Sequence, residues 1–270
     1  MTPASIGQTL ARLRAEKKRA FLPFLVAGHP SYEESMRLAL AVADHADVLE
    51  LGLPFSDPIA DGKTIQKASS LAIKRGMDTE TYFGFVSEFT RKTRGQVPVL
   101  CMTYYNLVHR LGVHAFTGRA AASGVSGLIV VDLPLEESTA LQRACALNGL
   151  DLVLLVSPST PPARARKIAE ASRGFVYLVS SVGVTGAKKK VSRQALRLIR
   201  RVKKTCKGKP LCVGFGVSNA GQAATLARAG ADGVIVGSAL IDKVGEKNFS
   251  ASLARVRALA ASISGGLKHV

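Results

Sequence analysis

The sequence predicts an α/β protein, a single (β/α)8 TIM barrel with one extra helix at its N-terminus. Three observations predict it: eight short apolar runs spaced along the chain, amphipathic helical patterns between them, and a length that one such barrel uses up. At 270 residues and 47% hydrophobic, the chain can build one large core, and a barrel of this kind takes about 250 residues. No linker or low-complexity stretch divides it, so residues 1–270 read as one domain.

The elements follow in order. The segment SIGQTLARLRAEKKR reads as the extra helix, covering the barrel floor. Lys17, Lys18 and Arg19 then precede FLPFLVAG, which has the charge order of a signal peptide. That run is short, contains Pro23 and sits behind a helix, so it reads as the first strand. The strand candidates are 20–27, 48–53, 97–102, 127–133, 151–156, 174–180, 210–214 and 233–237. Helical patterns such as YEESMRLALAVADHA, ESTALQRACALNG, PPARARKIAEAS, SRQALRLIRRVKK and NAGQAATLARAG lie between them, several opened by Ser, Pro or Asn and several closed by Gly. Repeated strand–helix alternation implies a parallel sheet buried on both faces. Closure into a barrel fits the count, and a doubly wound open sheet is the structural alternative.

Composition narrows the function. No run of about 18 or more apolar residues is present, so no membrane span is expected. Cys101, Cys145, Cys206 and Cys212 form no C-x-x-C pair, which suits reduced thiols in a cytoplasmic protein. The histidines at 29, 45, 109, 114 and 269 show no metal-ligand spacing, so no metal site is expected. Lys plus Arg number 37 against 19 Asp plus Glu, a formal charge of +18. Such a balance is a footprint of nucleic-acid binding. Yet there is no Trp, and the basic runs AKKKVSR and RLIRRVKKTCKGK carry no interleaved stacking residues. A solvated helix surface that attracts anionic substrates and an acidic partner explains the charge better, with no nucleic-acid role.

The densest chemistry lies in VLELGLPFSDPIADGKTIQ, residues 48–66. Alternation puts Leu49, Leu51 and Leu53 on one strand face and Val48, Glu50 and Gly52 on the other. An isolated buried carboxylate is costly, so Glu50 must be paired, neutral or functional. Pro54, Pro58 and Gly62 stiffen a loop that carries Asp57 and Asp61 toward the end of the same strand. The bland alternative is a strand Glu that caps a helix or pairs with an Arg. Later, GVTGAKKK, GFGVSNAG and VGSAL place glycines where a barrel's phosphate site is usually built. Backbone amides approach phosphate closely where side chains are absent. Gly186, Gly216, Gly237 and Ser238 are therefore candidate phosphate ligands, against the alternative that the glycines only make tight turns.

The run ELGLPFSDPIADGKTIQ closely resembles the signature of the tryptophan synthase alpha chain family. The resemblance extends over nearly the whole chain, through PFLVAGHP at 23–30, MTYYN at 102–106, VVDLPLEES at 130–138, VYLVS at 176–180 and the GVTG, GFG and VGSA runs. It implies that Glu50 and Asp61 are the catalytic carboxylates and Tyr177 an auxiliary group. It implies an indole pocket of Phe24, Ile65, Tyr104, Ile129, Phe215 and Ile235, and a loop residue, Thr185, that touches Asp61. Asp132 and Asn106 resemble positions facing a partner subunit or coupling to its active site. Lys63 and Leu107 stand where the commoner family form has Pro. The implied reaction is retro-aldol cleavage of indole-3-glycerol phosphate to indole and glyceraldehyde 3-phosphate. The implied partner is a beta chain in an alpha2beta2 tetramer, with no cofactor in this chain and pyridoxal phosphate in the beta chain. Ordinary aldolases use a Schiff-base Lys or a zinc ion as electron sink, and the expected strand ends offer Tyr177 and no His cluster. The indole itself can serve once protonated at C3, which needs one carboxyl as acid and another accepting the ring N–H. A different phosphate-binding barrel, such as a sugar-phosphate isomerase, is the rival enzyme class, and PFSDPIADG after Glu50 speaks against it.

Overall fold

A computed structural model of the chain describes residues 4–179, 191–245, 248–268 and 270. The first half runs α1 (Ile6–Ala15), β1 (Ala20–Val26), α2 (Tyr32–Ala43), β2 (Leu49–Gly52), α3 (Lys63–Lys74), α4 (Thr79–Lys92), β3 (Val99–Thr103), α5 (Tyr105–Leu111), α6 (Val113–Ser123) and β4 (Val125–Val130). After a 3-10 turn, Leu135–Glu137, it continues with α7 (Thr139–Leu147), β5 (Asp151–Val156), α8 (Pro162–Ala171), β6 (Val176–Val179), α9 (Arg193–Thr205), β7 (Leu211–Gly214), α10 (Ala220–Arg228), β8 (Gly233–Val236), α11 (Ser238–Ile241) and α12 (Phe249–Lys268). The eight strands form a closed parallel barrel in sequence order, and β8 returns to β1 with Ala20 opposite Gly233. Closure excludes the open-sheet alternative.

The strands are apolar because both faces are covered. All seven residues of β1 and all four of β2 are buried. The helices begin where their caps dictate. Ser31, Ser192 and Asn219 each accept the backbone N–H three residues on, at 3.3, 3.1 and 3.0 Å, and Pro162 opens α8. The fourth strand differs from its expected span of 127–133. It starts at Val125 and ends at Val130, because the chain turns there: Leu133 N–H bonds Val130 C=O at 3.3 Å, and Asp132 Oδ1 accepts the Tyr105 N–H at 2.8 Å.

The extra helix closes the floor as expected. Ile6, Leu10 and Leu13, spaced i, i+4 and i+7, are its buried stripe. Ile6 lies where strand side chains are missing, since a Cβ on Gly127 would stand 2.9 Å from its Cδ1. Asp151 Oδ2 accepts the Gly7 N–H at 3.3 Å and ties the helix to β5. With the floor sealed, the open end of the barrel is the rim at the C-terminal ends of the strands. Among the described residues, no helix is long and apolar enough to cross a membrane.

Candidate active site

The rim holds a cavity of about 560 Å³. Glu50 projects into it from β2, in register with Phe24 of β1 and Leu100 of β3, and is fully buried. Neither of its carboxyl oxygens meets a hydrogen-bond partner among the described residues. Burial, and secondarily the charge of Asp61, push its carboxyl up to about 8. At neutral pH Glu50 is therefore mostly protonated. The helix-capping and Arg-paired alternatives do not describe it.

Asp61 reaches the same cavity from the loop between β2 and α3. That loop folds on itself: Ile59 N–H bonds Asp57 C=O at 2.9 Å and Asp61 N–H bonds Pro58 C=O at 3.0 Å. Burial raises the Asp61 carboxyl to about 6, and a hydrogen bond donated by Tyr104 opposes the rise. Asp61 is thus mostly ionised at neutral pH while Glu50 is not. Unlike environments separate the protonation of two nearby carboxyls.

Tyr104 stands just beyond β3, and the structure gives it a different position from the one expected. It does not line the cavity. Its hydroxyl donates to Asp61 Oδ2 at 3.0 Å and accepts from the Ala60 N–H at 3.1 Å, and its ring stacks on Phe55 at 5.0 Å. It holds the Asp61 loop rather than walling the pocket. Phe215 also lies outside the lining, where its neighbours Gly214 and Gly216 contribute instead.

The cavity does bring together Phe24, Ile65, Ile129, Tyr177, Gly216, Ile235, Gly237 and Ser238 with the two carboxyls. Thr185 and Gly186 lie outside the described residues. Tyr177 of β6 is kept protonated by burial and then by the nearby Glu50. Its hydroxyl sits 2.8 Å from where a Cβ on Gly214 would be, so β7 must be bare there. Gly237 has a similar neighbour, since its Cβ would lie 2.8 Å from Phe24 Cδ1. A side chain at 237 would strike the Phe24 ring, so the expected phosphate ligand Gly237 also has a steric reason to be bare. Thr64 Oγ1 donates to Asp242 Oδ1 at 3.0 Å and joins the start of α3 to the end of α11.

Sequence reasoning missed part of the wall. Met102, Leu155, Val179 and Gly214 are among the further lining residues, as are Ser157, Thr160 and Arg164. Met102 falls in the quoted MTYYN run, and strand alternation could have found Leu155. Nothing local marks Arg164, whose guanidinium forks onto Glu136 at 2.6 and 2.7 Å. Asp132 lines the cavity, where its Oδ1 accepts the Tyr105 N–H at the start of α5, and Asn106 is exposed.

A closed eight-stranded barrel with its concave, carboxyl-bearing site at the C-terminal rim defines the class of (β/α)8-barrel enzymes. Known proteins make the assignment narrower. The family model described as tryptophan synthase alpha chain matches residues 10–267. The tryptophan synthase alpha chain of Methanosarcina mazei is 47% identical over 237 residues, 87% of this chain and 85% of that one. That of Methanosarcina barkeri is 43% identical over 100% of this chain and 99% of its own. Among solved structures, a Mycobacterium tuberculosis tryptophan synthase chain superposes with a TM-score of 0.89 at 36% identity, covering 99% of this chain and 100% of that one. A chain of the Pyrococcus furiosus tryptophan synthase complex gives 0.84 at 38% identity, covering 92% and 99%. The chain belongs to the tryptophan synthase alpha chain family.

Proposed function

We propose that the rim cavity cleaves indole-3-glycerol phosphate to indole and glyceraldehyde 3-phosphate, the lyase reaction of the alpha chain in tryptophan biosynthesis. The observation that carries the residue roles is the pair of carboxyls in one cavity, Glu50 buried without a partner and raised to about 8, Asp61 raised to about 6. A neutral Glu50 is suited to give its proton to C3 of the indole ring. Ionised Asp61 accepts the ring N–H and stabilises the positive charge that develops on N1. Glu50, now a carboxylate, takes the proton of the glyceryl hydroxyl next to the scissile bond. The C–C bond breaks, the hydroxyl carbon becomes the aldehyde, and the bonding pair returns to the ring as N1 recovers its electrons. The indole supplies the electron sink, and Glu50 ends protonated as it began, holding the hydroxyl's proton in place of the one it gave to C3.

Phe24, Ile65, Ile129 and Ile235 supply the apolar wall for the indole ring. Gly216, Gly237 and Ser238 lie at the strand-seven and strand-eight end, where barrels usually bind phosphate. Tyr177 is an auxiliary group facing Glu50. Thr185 and Gly186, on the resemblance, complete the loop and phosphate contacts. One catalytic domain of residues 1–270 would work in the cytoplasm, in an alpha2beta2 complex with a beta chain that carries pyridoxal phosphate and receives the indole. The test is indole release from indole-3-glycerol phosphate, with and without a tryptophan synthase beta chain. Weak release alone and strong activation by the beta chain are expected; no release in either case would overturn the reading.

A further inference from the structure

The loop that carries Asp61 is held from two sides, by Tyr104 just beyond β3 and by Gln66 of α3. From β3, Tyr104 takes the Asp61 carboxylate and the Ala60 N–H. From α3, the Gln66 amide nitrogen donates to Asp61 C=O at 2.8 Å and reaches Pro58 C=O at 3.4 Å. Both partners are carbonyl acceptors, which fixes the amide's orientation with its nitrogen toward the loop. Pro58 C=O also accepts the Asp61 N–H, so Gln66 grips both ends of the turn 58–61. Gln66 does not line the cavity, although its neighbour Ile65 does. It has no route to the substrate except through the loop. Ile59, at the tip of this turn, is 79% exposed, so little packing holds the segment from outside.

We propose that Gln66 is a positioning residue for the alpha reaction, fixing the turn 58–61 through its carbonyls so that the Asp61 carboxylate is delivered into the cavity. The proposal rests on the role given to Asp61 above and names the device that sustains it. Tyr104 alone leaves the turn hinged on one side chain. With Gln66, both the carboxylate and the main chain of Asp61 are fixed, which is how a group on an exposed loop acquires the placement that catalysis needs. Among the described residues, the titratable groups that face Asp61 are Glu50 of β2, Tyr104 beyond β3 and Tyr177 of β6. Its raised carboxyl reflects burial opposed by Tyr104, with no cation among the causes within the described residues. Loosening the turn should hydrate Asp61 and move its ionisation toward that of an ordinary carboxylate.

The test uses Gln66→Met, which keeps length and loses the donor, and Gln66→Glu, which places an acceptor against two carbonyls. In the full chain with its beta chain, both should lower kcat for indole release about tenfold or more, with KM within about threefold. The acid limb of the kcat profile should move to lower pH, since the group that must be ionised would ionise earlier. Without substrate, amide exchange at Ala60 and Asp61, followed by NMR on the full chain, should rise at least about tenfold in both variants. A residue that only supports α3 would lower the melting temperature and move neither limb nor exchange. Unchanged exchange at these amides, or a kcat within twofold of wild type, would overturn the proposal. Should the wild-type chain release no indole, the functional reading falls while the exchange measurement still decides whether Gln66 fixes the turn.

Discussion

The two ends of the barrel treat carboxylates shielded from solvent in opposite ways. At the floor, Asp47 Oδ2 accepts the Phe21 N–H at 2.8 Å, Asp151 Oδ2 accepts the Gly7 N–H at 3.3 Å, and Asp232 Oδ2 accepts the Leu211 N–H at 2.7 Å and pairs with Lys203. Each binds a neighbouring element to the start of its own strand. Burial raises the Asp47 and Asp151 carboxyls, and the backbone donors oppose the rise. At the rim, Glu50 has no such donor among the described residues and Asp61 has a tyrosine. The difference is chiefly one of partners, since Asp61 is part-buried like the three floor carboxylates and Glu50 is the one fully buried. Floor carboxylates spend their hydrogen-bonding capacity on the fold, whereas the rim holds it for a ligand, in keeping with stability at one end of such barrels and chemistry at the other.

The comparison can be broken most directly at Glu50. Glu50→Gln keeps the shape and cannot transfer a proton, so kcat for indole release should fall by about 10²–10⁴ with binding nearly intact. Retention of more than about a tenth of wild-type kcat would remove Glu50 from its role. The matching change at the floor is Asp232→Ala, which strands the Leu211 N–H and unpairs Lys203. Chemical denaturation should show a loss of about 2–3 kcal/mol, while kcat stays within twofold; a tenfold fall in kcat would erase the division between the two ends.

The same Glu50→Gln protein should be more stable than wild type at neutral pH. The Glu50 carboxyl lies at about 8 in the fold against a reference of 4.5, so between these values the folded state binds more protons than the unfolded one. Stability therefore falls as pH rises from 4.5 to 8, and Gln removes that fall. Denaturation curves should show a gain of about 1–3 kcal/mol at pH 7, disappearing toward pH 4.5. A constant difference across that range would assign the effect to packing.

Gly237→Val should raise KM about tenfold, or about 1.4 kcal/mol. It should do so for an unphosphorylated analogue as well, because the new side chain meets Phe24 first. An effect confined to the phosphorylated substrate would return Gly237 to the phosphate site alone. The smallest effect is expected at Lys63, the exposed first residue of α3. Pro is favoured at that position, so Lys63→Pro should change stability by less than about 0.5 kcal/mol and alter activation by the beta chain more than the chemistry of the complex. Titrating beta chain into both proteins distinguishes these outcomes.

The barrel was legible because each buried strand is a short apolar run and several helices carry their own start signal, as those capped by Ser31, Ser192 and Asn219 do. Glu50 was legible too, since strand alternation fixes which face a side chain takes. Alternation gives direction and not reach, and the family resemblance that put Tyr104 in the pocket wall carries no information on its partners in this chain. Its hydroxyl bridges to Asp61 and Ala60 across more than 40 positions of chain, a contact that only barrel closure creates. The meaning of Gly237 was hidden for the same reason, because its neighbour Phe24 lies on the first strand and Gly237 follows the last.

Phe24 has a second such neighbour. A Cβ on Gly52 would stand 3.0 Å from the far edge of its ring, as one on Gly237 would crowd the near side. Two bare positions on the flanking segments thus form a mould for a single aromatic ring, and the three residues make one steric unit drawn from both ends of the chain. Drift at any one of them is constrained by the other two. A smaller residue at 24 would open space that a methyl group at 52 or 237 could fill, so paired substitutions can succeed where single ones fail. Redesign of the pocket for a bulkier or slimmer ring system therefore has to start from the triplet rather than from any member of it.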